Sequence, residues 1–429
     1  MITRLQTTNT GPLTTMDLSF APRLNLITGD NGLGKSFILD LIWFSLTRSW
    51  PRDLNPSLLS GEMARPTNPY EKALISAEFT GAKQTAKPSF SFDADADIWK
   101  FPQGQPASPG IVFYVMADGS FAVWDPMRNS QIGGGEAPTP AYVFNARQVL
   151  DGLPGKNGDG GWLCEGLIKD WVSWQDSNLN KERFDLLKGV LKIASPSEAI
   201  LEPGIPRQVK PADIRRIPTI KMSYGASVPI IHASAGVKRI AALSYLLMWT
   251  WFGHTSAAEV RGKEPEGRIT FLFDEVESHL HPKWQRQIIP ALMQVGRLMP
   301  SNAGVKPKIQ FVVSTHSPLV MSSVEGYFDQ DNDRWLDLDA NGGVVEITER
   351  PFAAMGNVDN WLTSEAFDLP STYSIAASKV LDQAQKLLAT KGVTKQELEK
   401  MTNRLSTVLS DSDPYWINWN AILYKKGIQ

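Results

Sequence analysis

Short apolar runs recur along the chain between polar stretches rich in Pro and Gly. Leu24 to Thr28, Ala73 to Phe79, Ile111 to Val115, Phe121 to Trp124, Ala141 to Phe144, Ile269 to Phe273, Ile309 to Ser314 and Val344 to Ile347 read as strands. Leu13 to Phe20 alternates in part, with Met16, Leu18 and Phe20 on one side. Asp118-Gly119 between two of these runs predicts a hairpin. Helical spacing runs from Phe37 to Leu46, through 162–193, from Val237 to Phe252 and from Pro282 to Met299, and returns near 372–391 and 394–410. Within 162–193, Leu163, Leu167, Trp171 and Trp174 share one apolar face, and a second helix runs from Lys181 to Ile193. Residues 50–70, 80–110, 126–140, 195–230 and 253–267 read as loops, the third containing Gly133-Gly134-Gly135. Phe90, Phe92, Trp99 and Phe101 are scattered through the second of these.

Composition narrows the class. The chain has 429 residues, more than one typical domain, with 42% hydrophobic and 21% charged residues, as in soluble globular proteins. The net charge of -2 advertises no global basic field for nucleic acid. Cys164 is the only cysteine, which excludes an intrachain disulfide and a cysteine-cluster zinc site. No stretch approaches 18 consecutive apolar residues, and the N-terminus lacks a signal-peptide core. A cytoplasmic protein without a membrane partner is expected.

Three stretches carry chemistry. Gly29-Asp30-Asn31-Gly32-Leu33-Gly34-Lys35-Ser36 has the form G-x-x-x-x-G-K-S, between a strand and a helix. Gly29, Gly32 and Gly34 let the backbone turn its N–H groups onto phosphate oxygens, and the helix start adds a positive dipole end. Lys35 offers a point charge to the β- and γ-phosphates, and the Ser36 hydroxyl a ligand for Mg²⁺. Ile269 to Phe273 then delivers Asp274-Glu275 to a strand end, a Walker B arrangement. Asp274 is the expected Mg²⁺ ligand and Glu275 the general base toward water. His316 closes the next apolar strand and is expected to sense the γ-phosphate. The bland alternatives are a solvated acidic turn and a structural histidine.

Together these residues resemble the ABC-type ATPase heads, the group that includes the structural-maintenance-of-chromosomes, RecF and OLD (overcoming lysogenization defect) families. Asp274 to Gln285 and Ser314 to Val320 are especially similar to the OLD-like branch. The resemblance covers residues 1–50 and 232–325 well and the middle poorly. It implies an α/β fold: an ABC-ATPase head, or P-loop NTPase, with a mixed-sheet core and flanking helices, a helical lobe and a C-terminal helical segment. The expected parts are an N-terminal lobe at 1–160, a helical or insertion region at 161–232, a C-terminal lobe at 233–350 and the helical segment at 351–429. It also implies ATP and Mg²⁺ as cofactors and a head-to-tail dimer, with higher oligomers left open. His232 to Arg239 looks like the signature motif, departing from L-S-G-G-Q. Ser234 and Gly236 would then meet the γ-phosphate in trans, with Lys238 or Arg239 adding charge. Gln148 is the candidate for the glutamine on Mg²⁺, Asn31 lies within the phosphate loop, and His281 is left as a turn residue.

Two further patterns resist a catalytic reading. Glu325 and Asp337-Leu338-Asp339 imitate the acidic motif of Toprim nucleases, but they stand too close together for that fold. A solvated acidic edge is expected. Arg207, Lys210, Arg215, Arg216 and Lys221 form a basic run, read first as a solvated face and second as a phosphate contact. Compact OLD-like ATPases resemble the ATPase components of Septu-type, PARIS-type and retron-associated anti-phage systems. The resemblance therefore implies an ATP-driven switch acting with a separate effector such as a nuclease. The alternatives are a RecF-like DNA-binding repair ATPase, with nucleic acid as partner, and a nucleotide-locked scaffold with little turnover.

Overall fold

The computed structural model describes residues 1–81, 84–103, 107–129, 141–155, 161–298, 307–342, 344–390 and 392–425; the expected loop at 133–135 lies outside the described residues. The chain forms two compact units, Met1–Val358 and Asp359–Gln429.

The first unit is built on an eight-stranded mixed sheet. Its five central strands are parallel, in the order Ile111–Val115, Arg268–Phe273, Lys308–Ser314, Leu24–Gly29 and Asp333–Asn341. Antiparallel strands close both edges: Phe121–Trp124 then Tyr142–Phe144 on one, Val344–Arg350 on the other. Strands that begin in 1–160 and in 233–350 alternate in this sheet, so these stretches are interleaved parts of one body. The Arg268–Phe273 strand is buried along its whole length, as a central parallel strand covered on both faces must be. A second sheet of six strands is antiparallel, with Ile2–Thr10 between Leu13–Ser19 and Leu74–Thr80.

The helix Lys35–Thr47 lies in the core shared by both sheets. Leu39, Leu41, Ile42 and Trp43 are fully buried, and Phe44 stacks on Trp50 at 4.2 Å. This helix is apolar all round because it has a sheet on either side.

Several expectations need correction. The stretch 80–110 is not simply loop: Ser89–Asp93 and Ile98–Lys100 pair and extend the six-stranded sheet. Phe90 and Trp99 point into the core there, beside Phe44. Trp162–Cys164 is a strand, and the helix starts at Leu167, with Leu167, Trp171 and Trp174 buried as expected. The helix expected to end at Phe252 runs from Ala235 to Val260. His254 anchors the extra turns: its Nδ1 meets Asp125 Oδ1 at 2.6 Å, and its Nε2 accepts the Glu266 N–H at 2.8 Å. The single helix expected from Pro282 to Met299 is two, Pro282–Gln285 and Ile288–Leu298. Pro290 lacks an N–H and is tolerated only in a first turn, so the helix restarts just before it.

The second unit is helical, with Ile375–Ala389, Lys395–Ser406 and Tyr415–Lys425, the last not foreseen. They share a small core of Leu381, Ala384, Leu398, Met401, Leu405 and Trp419. Thr394 and Glu397 form a capping box at the start of the middle helix.

Candidate functional site

The parallel strands bring their C-terminal ends to one edge of the sheet, where the glycine loop, Asp274-Glu275 and His316 follow their strands. Gly29, Gly32 and Gly34 all have positive φ, at 130°, 83° and 100°. Asn31, Gly32 and Ser36 are exposed at the loop's mouth, and a Cβ on Gly32 would meet nothing within 4 Å. Lys35 is only 5% exposed, and its Nζ donates to the carbonyls of Gly29 and Asp30, each at 2.7 Å. Burial pulls its pKa down, opposed first by Asp274 and then by Glu275.

Ser36 lies near Asp274. The Asp274 carboxylate accepts the Ser314 hydroxyl at 2.8 Å. Burial raises the Asp274 pKa, and the hydroxyls of Ser314 and Ser36 pull it back. Among the described residues no group of three or more His, Cys, Asp or Glu could hold a metal. A serine–aspartate oxygen pair leaves the other positions to phosphate and water, which is the coordination Mg²⁺ favours.

The acidic turn is held from several sides. Glu275 has φ 46°, an uncommon left-handed conformation for a non-glycine residue, and its N–H donates to Ser314 Oγ at 2.9 Å. Glu277 accepts the His316 N–H at 2.6 Å and the Thr315 hydroxyl at 2.8 Å. The loop carrying Glu275 is thereby tied to the loop carrying His316. Burial, with Lys35 nearby, lowers the His316 pKa, which keeps the imidazole neutral at pH 7. Ser314, Thr315 and Glu277 were not assigned roles from sequence. Their position at two adjacent strand ends was the available signal.

Ser234 caps the helix Ala235–Val260, and its Oγ accepts the Val237 N–H at 3.4 Å. It is exposed, as a contact in trans requires. A Cβ on Gly236 would come within 2.7 Å of the His279 carbonyl, so glycine is needed there for packing alone. Arg239 does not face outward: it is 7% exposed and bonds carbonyls of its own chain. Gln148 is not brought to Ser36 or Asp274 by any hydrogen bond among the described residues. Its Oε1 accepts the Asn145 N–H at 2.9 Å and Asn55 Nδ2 at 2.7 Å, within a capping box. His281 caps the short helix after it, as a turn residue.

The acidic edge is solvated only in part: Asp339 is exposed and Glu325 half-buried, but Asp337 is not exposed. Asp337 is 3% exposed and accepts Thr28 Oγ1 at 2.6 Å and Arg350 Nε at 3.2 Å, inside a strand. Glu325 accepts the Met355 N–H at 2.9 Å. In the basic run, Arg215 pairs with Asp213 and Asp151, Arg216 with Asp176 and Lys221 with Glu202.

A family model described as "AAA domain, putative AbiEii toxin, Type IV TA system" matches residues 172–322, and one described as "AAA domain" matches 4–101. Septu protein PtuA of Bacillus thuringiensis is 22% identical over 324 residues, 74% of this chain and 72% of that protein. Retron Ec83 probable ATPase of Escherichia coli is 26% identical over 34% of this chain and 24% of that protein. Septu protein PtuA of Bacillus mycoides (strain KBAB4) is 31% identical over 33% and 18%. The last two matches thus span a quarter or less of the relative's length. Fold and matches fit an α/β P-loop ATPase. Within that class the chain is similar to the Septu and retron proteins.

Proposed function

We propose that this chain binds Mg²⁺-ATP and hydrolyses it as a switch, closing head to tail on a second copy. The observation that carries the reading is the convergence at adjacent strand ends of the glycine loop, the buried Lys35, Asp274 held by Ser314, and His316 tied to the acidic turn through Glu277. Loop N–H groups and Lys35 would hold the β- and γ-phosphates, Lys35 exchanging its two carbonyl partners for phosphate oxygens. Ser36 and Asp274 would hold Mg²⁺, which supplies charge neutralisation on the phosphates. Glu275 would take a proton from the attacking water, and His316 would hydrogen-bond the γ-phosphate. Ser234 supports the dimer reading: it sits exposed at a helix start, with no hydrogen bond to its own phosphate loop among the described residues.

Similarity to Septu and retron proteins supports placing this switch in anti-phage defence, in the cytoplasm, with a separate effector such as a nuclease. Among the described residues no helix is long and apolar enough to cross a membrane. The DNA-binding alternative loses its clearest support, because acids of the same chain pair three of the five basic-run cations. The test is phosphate release with Mg²⁺-ATP. The parent should turn over, and Lys35→Ala should lose on the order of 100-fold or more. Equal turnover in the two proteins would remove the assignment.

A further inference from the structure

Arg239 is a buried cation whose hydrogen-bond partners, among the described residues, are all main-chain carbonyls. Its Nη1 donates to Ala117 at 3.1 Å, and its Nη2 to Asp274 at 3.2 Å and Glu275 at 3.3 Å. Burial weakens its hold on the proton, opposed in part by the field of Asp274, Glu277, Glu275 and Asp118. The Asp274 and Glu275 carbonyls lie where the chain leaves the sheet ladder in a left-handed turn; Glu275 also accepts the Ser278 N–H at 2.8 Å, and Arg239 supplies the donor to Asp274. The rigid fork of a guanidinium lets Nη2 serve both of these carbonyls while Nη1 holds Ala117. Arg239 stands in the second turn of the helix capped by Ser234. Gly236, in the first turn, packs on the His279 carbonyl just beyond the same acidic turn. The start of this helix therefore rests on the Glu275 loop at two points.

We propose that Arg239 is a positioning residue for hydrolysis, aiming Glu275 and tying that aim to the helix turn that carries Ser234. This rests on the head-to-tail reading above. When the second copy's nucleotide engages Ser234, the helix start is fixed, and Arg239 fixes the base in its own chain's site. Each site then hydrolyses faster when the other holds ATP. A displaced base costs turnover and leaves phosphate binding in place.

The experiment compares the parent with Arg239→Ala and Arg239→Lys. It reads phosphate release against ATP concentration, affinity for a fluorescent ATP analogue, and mass in ATP. Arg239→Ala should bind the analogue within about threefold of the parent and lose about 100-fold in kcat. Its Hill coefficient for turnover should fall to one. Arg239→Lys keeps the stem and charge without the fork, and its kcat should lie between the two. Parental kcat and Hill coefficient in Arg239→Ala would overturn the proposal. So would a loss of nucleotide affinity as large as the loss of turnover, the mark of a merely structural role. If Arg239→Ala does not fold, Arg239→Lys decides by the same split. The parent's own turnover and mass report separately on the head-to-tail reading.

Discussion

Asp40 accepts the Tyr114 hydroxyl at 2.9 Å, with the Asp274 charge adding to its surroundings. Burial pushes its pKa from 3.8 up to about 8. The folded chain therefore holds a proton there that the unfolded chain releases. Asp40's contribution to stability is complete below pH 3.8 and is lost as pH rises to about 8. Asp40→Asn keeps an acceptor for Tyr114 and removes the titration. Its melting temperature should exceed the parent's at pH 8, and the gain should shrink toward pH 4. An equal difference at both values would contradict this. At this scale the phosphate loop was legible because its parts are contiguous from Gly29 to Ser36. Ser314, Glu277 and Arg239 were not, because each acts on residues far off in sequence that only the sheet brings close. Asp337 misled for the same reason: its acceptor role toward Thr28 depends on pairing two distant strands.

The strands explain which elements could be read and which could not. Arg268–Phe273 and Lys308–Ser314 announce themselves as continuous apolar runs, buried on both faces. Asp333–Asn341 carries three aspartates and reads as polar, yet it pairs in parallel with the phosphate-loop strand. Two of these acids are matched by side chains after folding: Asp333 accepts Arg23 Nε at 2.7 Å, and Asp337 bonds Thr28 and Arg350, while Asp339 stays exposed. This pairing brings the Leu338 carbonyl against Gly29, where a Cβ would clash and φ is 130°. Gly29→Ala should therefore destabilise the fold by about 2–4 kcal/mol, through strain and steric overlap. Urea unfolding measures it, and a change under 0.5 kcal/mol, roughly the effect of an ordinary surface substitution, would contradict the strand packing.

At the scale of the largest sheet, the eight strands place the glycine loop, the Asp274-Glu275 turn and His316 at one edge. It leaves Ser234 exposed at the start of a separate helix. The α/β class followed from familiar motifs, while the second sheet's outer strands and the last helix did not. Those strands are short, and the helix packs mainly through Trp419 and its neighbours. Glu275→Gln should still bind ATP while turnover falls about 100- to 10,000-fold. On the proposed switch, that variant should hold the closed state long enough to weigh it. The most direct measurement is its mass by sedimentation in Mg²⁺-ATP, with and without Ser234→Arg in the same chain. The account predicts dimers in ATP, monomers in ADP, and monomers in ATP once Ser234→Arg is added. A Glu275→Gln protein that stays monomeric in ATP, or whose dimer is indifferent to Ser234→Arg, would contradict it.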